Sequence, residues 1–284
     1  MSIPAFSDVS KASNDLLNKD FYHTAAAVLE VKLKSPNGVA VTTKGSSAHE
    51  GPIAGSVEGK KALSNGISIT EAWNTKNVLN TKVEMDNTFA KNLKTEVMSI
   101  FSPASGNMGQ KLNLHFKQPQ FHTRAFFDYA ANGNVSAVVD GVVGHEGFLV
   151  GGEAGYDVQK AAITRYAASV GYQGPNYSAA LTATNNLSVF TAAYYQKVNA
   201  AVETAAKASY DAKSGSAVGI ELASKYKLDP MSFAKAKIND KGIAAVAYNT
   251  KINSGFTFGI GASLDTQKLN EAGHKIGASF TFEG

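Results

Sequence analysis

Lysine is the chemically capable side chain that recurs most regularly in this sequence, and it recurs at alternate positions. Lys32 and Lys34 alternate with Val31 and Leu33, Lys82 follows Thr81 and precedes Val83, and Lys111 and Lys117 bracket Leu112, Leu114 and Phe116. Lys60, Lys94, Lys207, Lys225, Lys227, Lys235 and Lys237 occupy equivalent places in further segments. Strands around a water-filled passage would turn such rows inward, where rings of positive charge favour anions. Glu30, Glu58, Glu84, Glu96, Glu203 and Glu221 share those faces, so the preference should be slight. A plainly solvated strand face produces the same row, and for a lumen wall the two descriptions nearly coincide.

Arrangements for catalysis are scarce. The six histidines (His23, His49, His115, His122, His145 and His274) are scattered, no H-E-x-x-H occurs, and cysteine is absent, so no zinc site is expected. The repeated tripeptides His49-Glu50-Gly51 and His145-Glu146-Gly147 sit among turn residues. The run Gly141, Gly144, Gly147, Gly151, Gly152 and Gly155 lacks the G-x-x-x-x-G-K-[ST] spacing of a phosphate loop, and bends, turns and close strand approaches explain it better. No Ser-His-Asp set is preferred by spacing. An enzyme is therefore not expected, nor any cofactor or metal. Only Arg124 and Arg165 among the 27 basic residues are arginine; lysine attracts anions loosely, where nucleic-acid readers depend on arginine's rigid fork. Nucleic acid is not an expected partner.

The elements that must carry these lysines are short and alternating. A membrane-crossing helix needs about 18 consecutive apolar residues, and stretches such as 131–139 are shorter and interrupted. Strands of a transmembrane barrel leave a weaker trace, because lipid-facing and lumen-facing residues alternate and mean hydropathy stays near neutral; here it is −0.14. From about residue 24 onward the sequence is such segments separated by Gly, Asn, Ser and Pro. Ala27, Leu29, Val31 and Leu33 oppose Glu30, Lys32 and Lys34, and Pro36-Asn37-Gly38 then turns the chain. Leu79, Thr81, Val83 and Met85 oppose Asn80, Lys82 and Glu84, and the last segment sets Ile276, Ala278, Phe280 and Phe282 on one face. A soluble sandwich alternates in the same way. The chain-long repetition, segments of about 9 to 11 residues and the lysine-rich polar faces favour the membrane. The first twenty residues differ: Phe6, Val9, Ala12, Ser13 and Leu16 form an apolar stripe, with Asp8, Lys11, Asp15 and Lys19 elsewhere. This predicts one short amphipathic helix, marginal alone, packed in the barrel's interior or lying at the membrane interface. No basic region precedes an apolar core there, so no secretory leader is expected.

Specific motifs carry a resemblance. Asp8-Val9-Ser10-Lys11, Asn18-Lys19-Asp20, Val31-Lys32-Leu33-Lys34, Glu71-Ala72-Trp73-Asn74-Thr75, Ile100-Phe101-Ser102-Pro103, Tyr195-Gln196-Lys197-Val198-Asn199 and His274-Lys275-Ile276-Gly277 together resemble the mitochondrial porin, or voltage-dependent anion channel, family over the full length, with fungal members nearest. One departure is Asn92-Leu93-Lys94 where the family often has Gly-Leu-Lys, so only the lysine of that nucleotide-contact motif is retained. The resemblance implies an all-β fold, a single transmembrane barrel of about nineteen strands with a short helix in its lumen. The implied division is a helical segment over 1–24 and a barrel over 25–284, with the first and last strands parallel.

It implies a voltage-gated, weakly anion-selective channel of the mitochondrial outer membrane that passes ATP, ADP, phosphate and other small anions without catalysis. Lys11 and Lys19 match lysines that line the passage. Lys275, Gly277, Phe280 and Phe282 fit the terminal signal shared by outer-membrane barrels, so membrane lipid and the barrel assembly machinery are expected partners. The alternatives are the protein-conducting barrel of the mitochondrial import pore, which usually has a long N-terminal extension and acidic lumen patches, and a soluble β ligand-binder. Glu71 breaks the pattern: it shares a face with Ile67, Ile69 and Trp73, which sets a carboxylate among lipid-facing residues. Either a bulge or the headgroup zone relieves this cost, or Glu71 is a lipid-facing carboxylate that makes wall dynamics or pairing with a second copy pH-sensitive.

Overall fold

The computed structural model describes residues 2–104, 106–215, 217–271 and 273–284. Among these, nineteen strands form one sheet closed on itself. The first nine are β1 (Ala27–Lys34), β2 (Val39–Ser47), β3 (Ala54–Ala62), β4 (Ile67–Asn74), β5 (Leu79–Asp86), β6 (Leu93–Ser102), β7 (Asn107–Lys117), β8 (Phe121–Tyr129) and β9 (Val135–His145). Then come β10 (Phe148–Asp157), β11 (Ala162–Gln173), β12 (Tyr177–Thr184), β13 (Val189–Lys197), β14 (Val202–Asp211) and β15 (Gly219–Lys227). The chain ends with β16 (Ser232–Asn239), β17 (Ile243–Asn253), β18 (Phe256–Asp265) and β19 (Lys275–Glu283).

Consecutive strands pair antiparallel through short turns. Asn65-Gly66, between β3 and β4, shows the local chemistry, with φ of 63° and 74°, left-handed values that Asn and Gly adopt most readily. After an odd number of alternating strands the last runs in the direction of the first, so closure requires a parallel seam. β1 and β19 provide it, with Ala27 opposite Ala278 and Lys32 opposite Glu283. Lys32 Nζ also lies 3.1 Å from Glu283 Oε1. Closure pairs every strand on both sides and removes the free edges that would otherwise recruit another chain.

The alternation of side chains sorts the two faces. Val143, Val150 and Ile276 are 62%, 61% and 66% exposed, which for large apolar residues makes the outer surface a lipid-facing one. The charged residues of the same strands turn inward. Among the described residues no helix is long and apolar enough to cross a membrane.

The N-terminal segment lies against the inner wall, in pieces rather than as the single helix predicted. Phe6–Asp8 form a 3-10 turn, and α1 spans Lys11–Asn18. A second 3-10 turn covers Tyr22–Thr24. The break at Val9 and Ser10 lets the apolar residues follow a curved wall that a straight rod would touch at one place only. Ile3, Phe6 and Val9 pack on Val142, Leu149, Ala167 and Ala180. Leu16 and Leu17 pack on Ala205 and Ala223, and Phe21 on Ala245 and Ala247. Burying each large side chain contributes roughly 1.5–3 kcal/mol, which an eight-residue helix could not obtain alone.

Candidate pore and its lining

Because α1 touches Ala205 and Ala223, the face that carries them is the lumen face, and residues directly opposite across each ladder share it. Following the register places Lys32 and Lys34 of β1, Lys60 of β3, Lys82 of β5, Lys94 of β6 and Lys111 and Lys117 of β7 on that face. Lys225 of β15 and Lys235 and Lys237 of β16 share it. Lys11 and Lys19 project from the docked segment and both hold Asp15, at 3.3 and 2.9 Å. Burial works to raise the Asp15 carboxyl, but these two ammonium groups outweigh it and hold it below the ordinary carboxylate value.

Few of these lysines are free charges. Glu84 accepts Lys60 at 2.8 Å, Lys94 at 2.7 Å and Lys82 at 3.3 Å, and Lys94 reaches Glu96 at 2.7 Å as well. Asn113 donates to Glu96 from the next strand. Arg124 then grips the fully buried Asp140 with two nitrogens, at 3.0 and 2.6 Å, and its Nη2 also donates to the Ser7 hydroxyl at 3.3 Å. A belt of alternating charge thus runs from β3 to β9 and ends on the N-terminal segment. Lys32 and Lys44 pair with Glu30, and Lys111 pairs with Asp128 at 2.7 Å.

Lys235 and Lys237 do something else. Lys235 is 4% exposed and donates to the carbonyls of Lys19 at 2.7 Å and Asp15 at 3.4 Å. Lys237 donates to the Leu17 carbonyl at 3.0 Å. The last carbonyls of a helix lack intrahelical donors and carry its negative pole, so these two ammonium groups hold the end of α1, with the Phe21 ring within 4.8 Å of both. Both share the lumen face; the helix removes them from the row of charges that meet water.

The wall beneath the segment is built of small residues, the feature that sequence reading missed. A Cβ at Gly151 or Gly171 would press on Phe6 or Val9 at 3.0 Å. At Gly277 it would collide with the backbone carbonyls of Tyr22 and Ala25, and at Gly259 with the Tyr22 ring. A Cβ at Gly144 would likewise collide with Ile3, so the glycine run 141–155 is only partly a matter of turns: Gly144 and Gly151 make room for the chain's own N-terminus. Gly277, which the sequence pattern groups with Lys275, Phe280 and Phe282, also makes room for that segment. Lys275 shares the lumen face with it, while Phe280 and Phe282 face outward beside Phe258 and Phe256. The signal in sequence was small residues at inward positions of successive strands, invisible until the strands are aligned. Burial pushes the Tyr22 phenol up to about 12, a shift that Asp20 reinforces and the hydrogen bond from Asn249 opposes.

Glu71 stands opposite Gly59 and Thr81 in unbroken register, so no bulge turns it inward. It is exposed on the outer face, fifth of the eight residues of β4. Lys61 lies on the same face two positions from Gly59, and Trp73 Nε1 donates to Asn77 Oδ1 at 3.1 Å at the strand's end.

A closed barrel with an apolar exterior, a charged interior and a segment of its own chain in the lumen is a membrane pore of the porin class. The sequence model for eukaryotic porins matches residues 2–277. The chain is 57% identical to the mitochondrial outer membrane protein porin of Neurospora crassa over the whole of both proteins. It is 44% identical to the protein of the same name from Candida albicans over 99% of each, and 37% identical to the non-selective voltage-gated ion channel 1 of Saccharomyces cerevisiae over all of both. The chain belongs to the eukaryotic porin family.

Proposed function

We propose that this protein is a voltage-gated channel of the mitochondrial outer membrane through which ions and small metabolites, including ATP, ADP and phosphate, diffuse passively with a slight preference for anions. The observation that carries the reading is the charge-lined lumen of a barrel whose outer face is apolar. Its preference is slight because the inward lysines are largely matched: the Lys60, Lys82 and Lys94 group is neutralised in part by Glu84 and Glu96. Relatives named as mitochondrial porins and a voltage-gated ion channel support the same reading. The protein-conducting alternative has no support from those names, and a lysine-rich lumen would repel basic presequences. No catalytic step is part of the function.

Planar-bilayer recording of the purified protein tests it. Steps of conductance that fall at elevated voltage, with a reversal potential of anion sign in a salt gradient, are expected; absence of conductance, or a cation sign, overturns it. Glu71 has a proposed role of its own: a carboxylate at mid-strand facing lipid is costly when charged, so it should loosen the wall there and favour the pairing of two copies. Glu71→Gln should then stiffen this part of the wall and weaken dimerisation while conductance stays unchanged; equal dimerisation in both proteins defeats this.

A further inference from the structure

Where β5 to β8 turn at one mouth of the barrel, the inner wall is hollowed into a recess of about 550 Å³ beside Ser2. Its charged and titratable lining is Lys94, Lys117, His115, His122 and the single carboxylate Asp86, with the amides of Asn87, Asn92 and Gln118 around them. The loop is a closed frame: Asn87 Oδ1 accepts the Asn92 amide at 2.6 Å, and the Asn92 carbonyl accepts the Lys117 amide at 3.1 Å.

The charge balance of this recess is unlike that of the belt beside it. Lys94 is held by Glu84 and Glu96, whereas Lys117 appears in no ion pair among the described residues, leaving Asp86 as its counterweight within the recess. The two imidazoles are therefore the variable part. His115 on β7 faces Lys94 and Glu96 of β6, Arg124 and His122 of β8 and Asp140 of β9. His122 faces Lys117 and His115 of β7, Arg124 on its own strand and Asp140 of β9. Arg124 and Asp140 satisfy each other, and Lys94 offsets Glu96. His115 Nε2 and His122 Nδ1 have no hydrogen-bond partner, and the former lies 3.7 Å from Glu96 Oε2, so each ring keeps a nitrogen able to take a second proton. With both imidazoles neutral the recess carries Lys117 against Asp86. With both protonated it carries a clear positive excess, among amide donors that suit an oxyanion.

We propose that this recess is an oxyanion-binding station at one mouth of the pore, taking a free multiply charged oxyanion such as sulfate or a terminal phosphate group, and that protonation of His115 and His122 sets its occupancy. This rests on the lumen being an anion pathway. Histidine is the side chain whose charge ordinarily changes between about pH 5 and 8, and sulfate keeps its charge across that interval, so sulfate is the probe.

Full-length protein in a bilayer of uncharged lipid is recorded in KCl with and without added sulfate at about pH 5 and about pH 8. The expected result is that sulfate lowers the chloride-carried current about threefold more strongly at the acid end, and that this pH dependence disappears in His115→Gln/His122→Gln and is reduced in His122→Gln alone. Current in KCl reports that each protein has inserted, and the wild-type pH comparison stands even if the double variant does not. An equal sulfate effect at both pH values, or one whose pH dependence survives in the variants, overturns the station. A wild type that carries no current in KCl overturns the channel itself; one that conducts normally but ignores sulfate overturns only this inference.

Discussion

The inner wall from β3 to β9 and the inner wall from β10 to β19 come from the same alternation and have opposite characters. The first is bare except at β8 and β9, where the start of the N-terminal segment meets Arg124 and Val142, and its inward positions hold Lys60, Glu84, Lys94, Glu96, Arg124 and Asp140, tied across strands. The second is covered, and beneath the N-terminal segment its inward positions are Ala180, Ala205, Ala223, Ala245, Ala247 and Gly277. A helix with its side chains is about 10–12 Å across, so it can share a lumen with permeating solute only if its side of the wall is thin. The comparison teaches that an inward lysine has two meanings. On the bare side it belongs to the field that a permeating ion meets; on the covered side it holds a helix end.

The strongest way to break the comparison is to thicken the covered wall. Gly277→Val should remove the seat of Tyr22 and Ala25 at a cost of about 3 kcal/mol, the upper part of the range for overpacking, since the atoms met are backbone. Trypsin cleavage after Lys11 and Lys19 should then be rapid in the solubilised protein. Gly259→Ala, which meets only the Tyr22 ring, should cost about 1 kcal/mol and serves if the first variant does not assemble. A Gly277→Val protein as resistant as wild type would show that the cradle is not needed.

Removing the two clamping lysines comes next. Lys235→Met with Lys237→Met deprives three carbonyls of charged donors, each such bond contributing about 1.5–3 kcal/mol, and should expose the same trypsin sites, while Lys60→Met on the bare side leaves them protected. Equal exposure in both would erase the distinction between the halves.

The bare wall answers in selectivity instead. Glu84→Gln frees Lys60 and Lys82 and leaves Lys94 with Glu96 alone, and should raise the anion-to-cation permeability ratio by roughly twofold, whereas Lys60→Glu with Lys94→Glu should move the reversal potential toward cations. Lys235→Glu should shift it little for its charge, because that residue lies under the helix. Identical shifts from Lys60 and Lys235 variants would contradict the two meanings.

The smallest effect is on pH. Burial first, then Lys237, His49 and Lys275, lower the His23 imidazole below its ordinary value. Its contribution to docking is thus full above the ordinary imidazole value near pH 6.5 and is lost as pH falls toward the lowered one. Proteolysis of the N-terminal segment should therefore speed up in mild acid, and His23→Gln should flatten the profile. Acid protection, or an unchanged slope in the variant, would reverse the assignment.

The sequence by itself determined the faces. In β1, Leu29, Val31 and Leu33 against Glu30, Lys32 and Lys34, and in β5, Val83 and Met85 against Lys82 and Glu84, each state by period two which side meets lipid and which meets water. An odd count, once inferred, also requires β1 beside β19. Only the tertiary structure decided what each inward residue meets. Lys235 and Lys60 are equivalent by pattern, and one lies against α1 while the other lies against Glu84, because a partner more than 200 positions away follows from barrel closure and from where the N-terminal segment lies. The glycines of β10 and β19 were visible one strand at a time. Their common purpose is a property of the aligned wall, since the space a missing side chain leaves has meaning only when another part of the chain fills it.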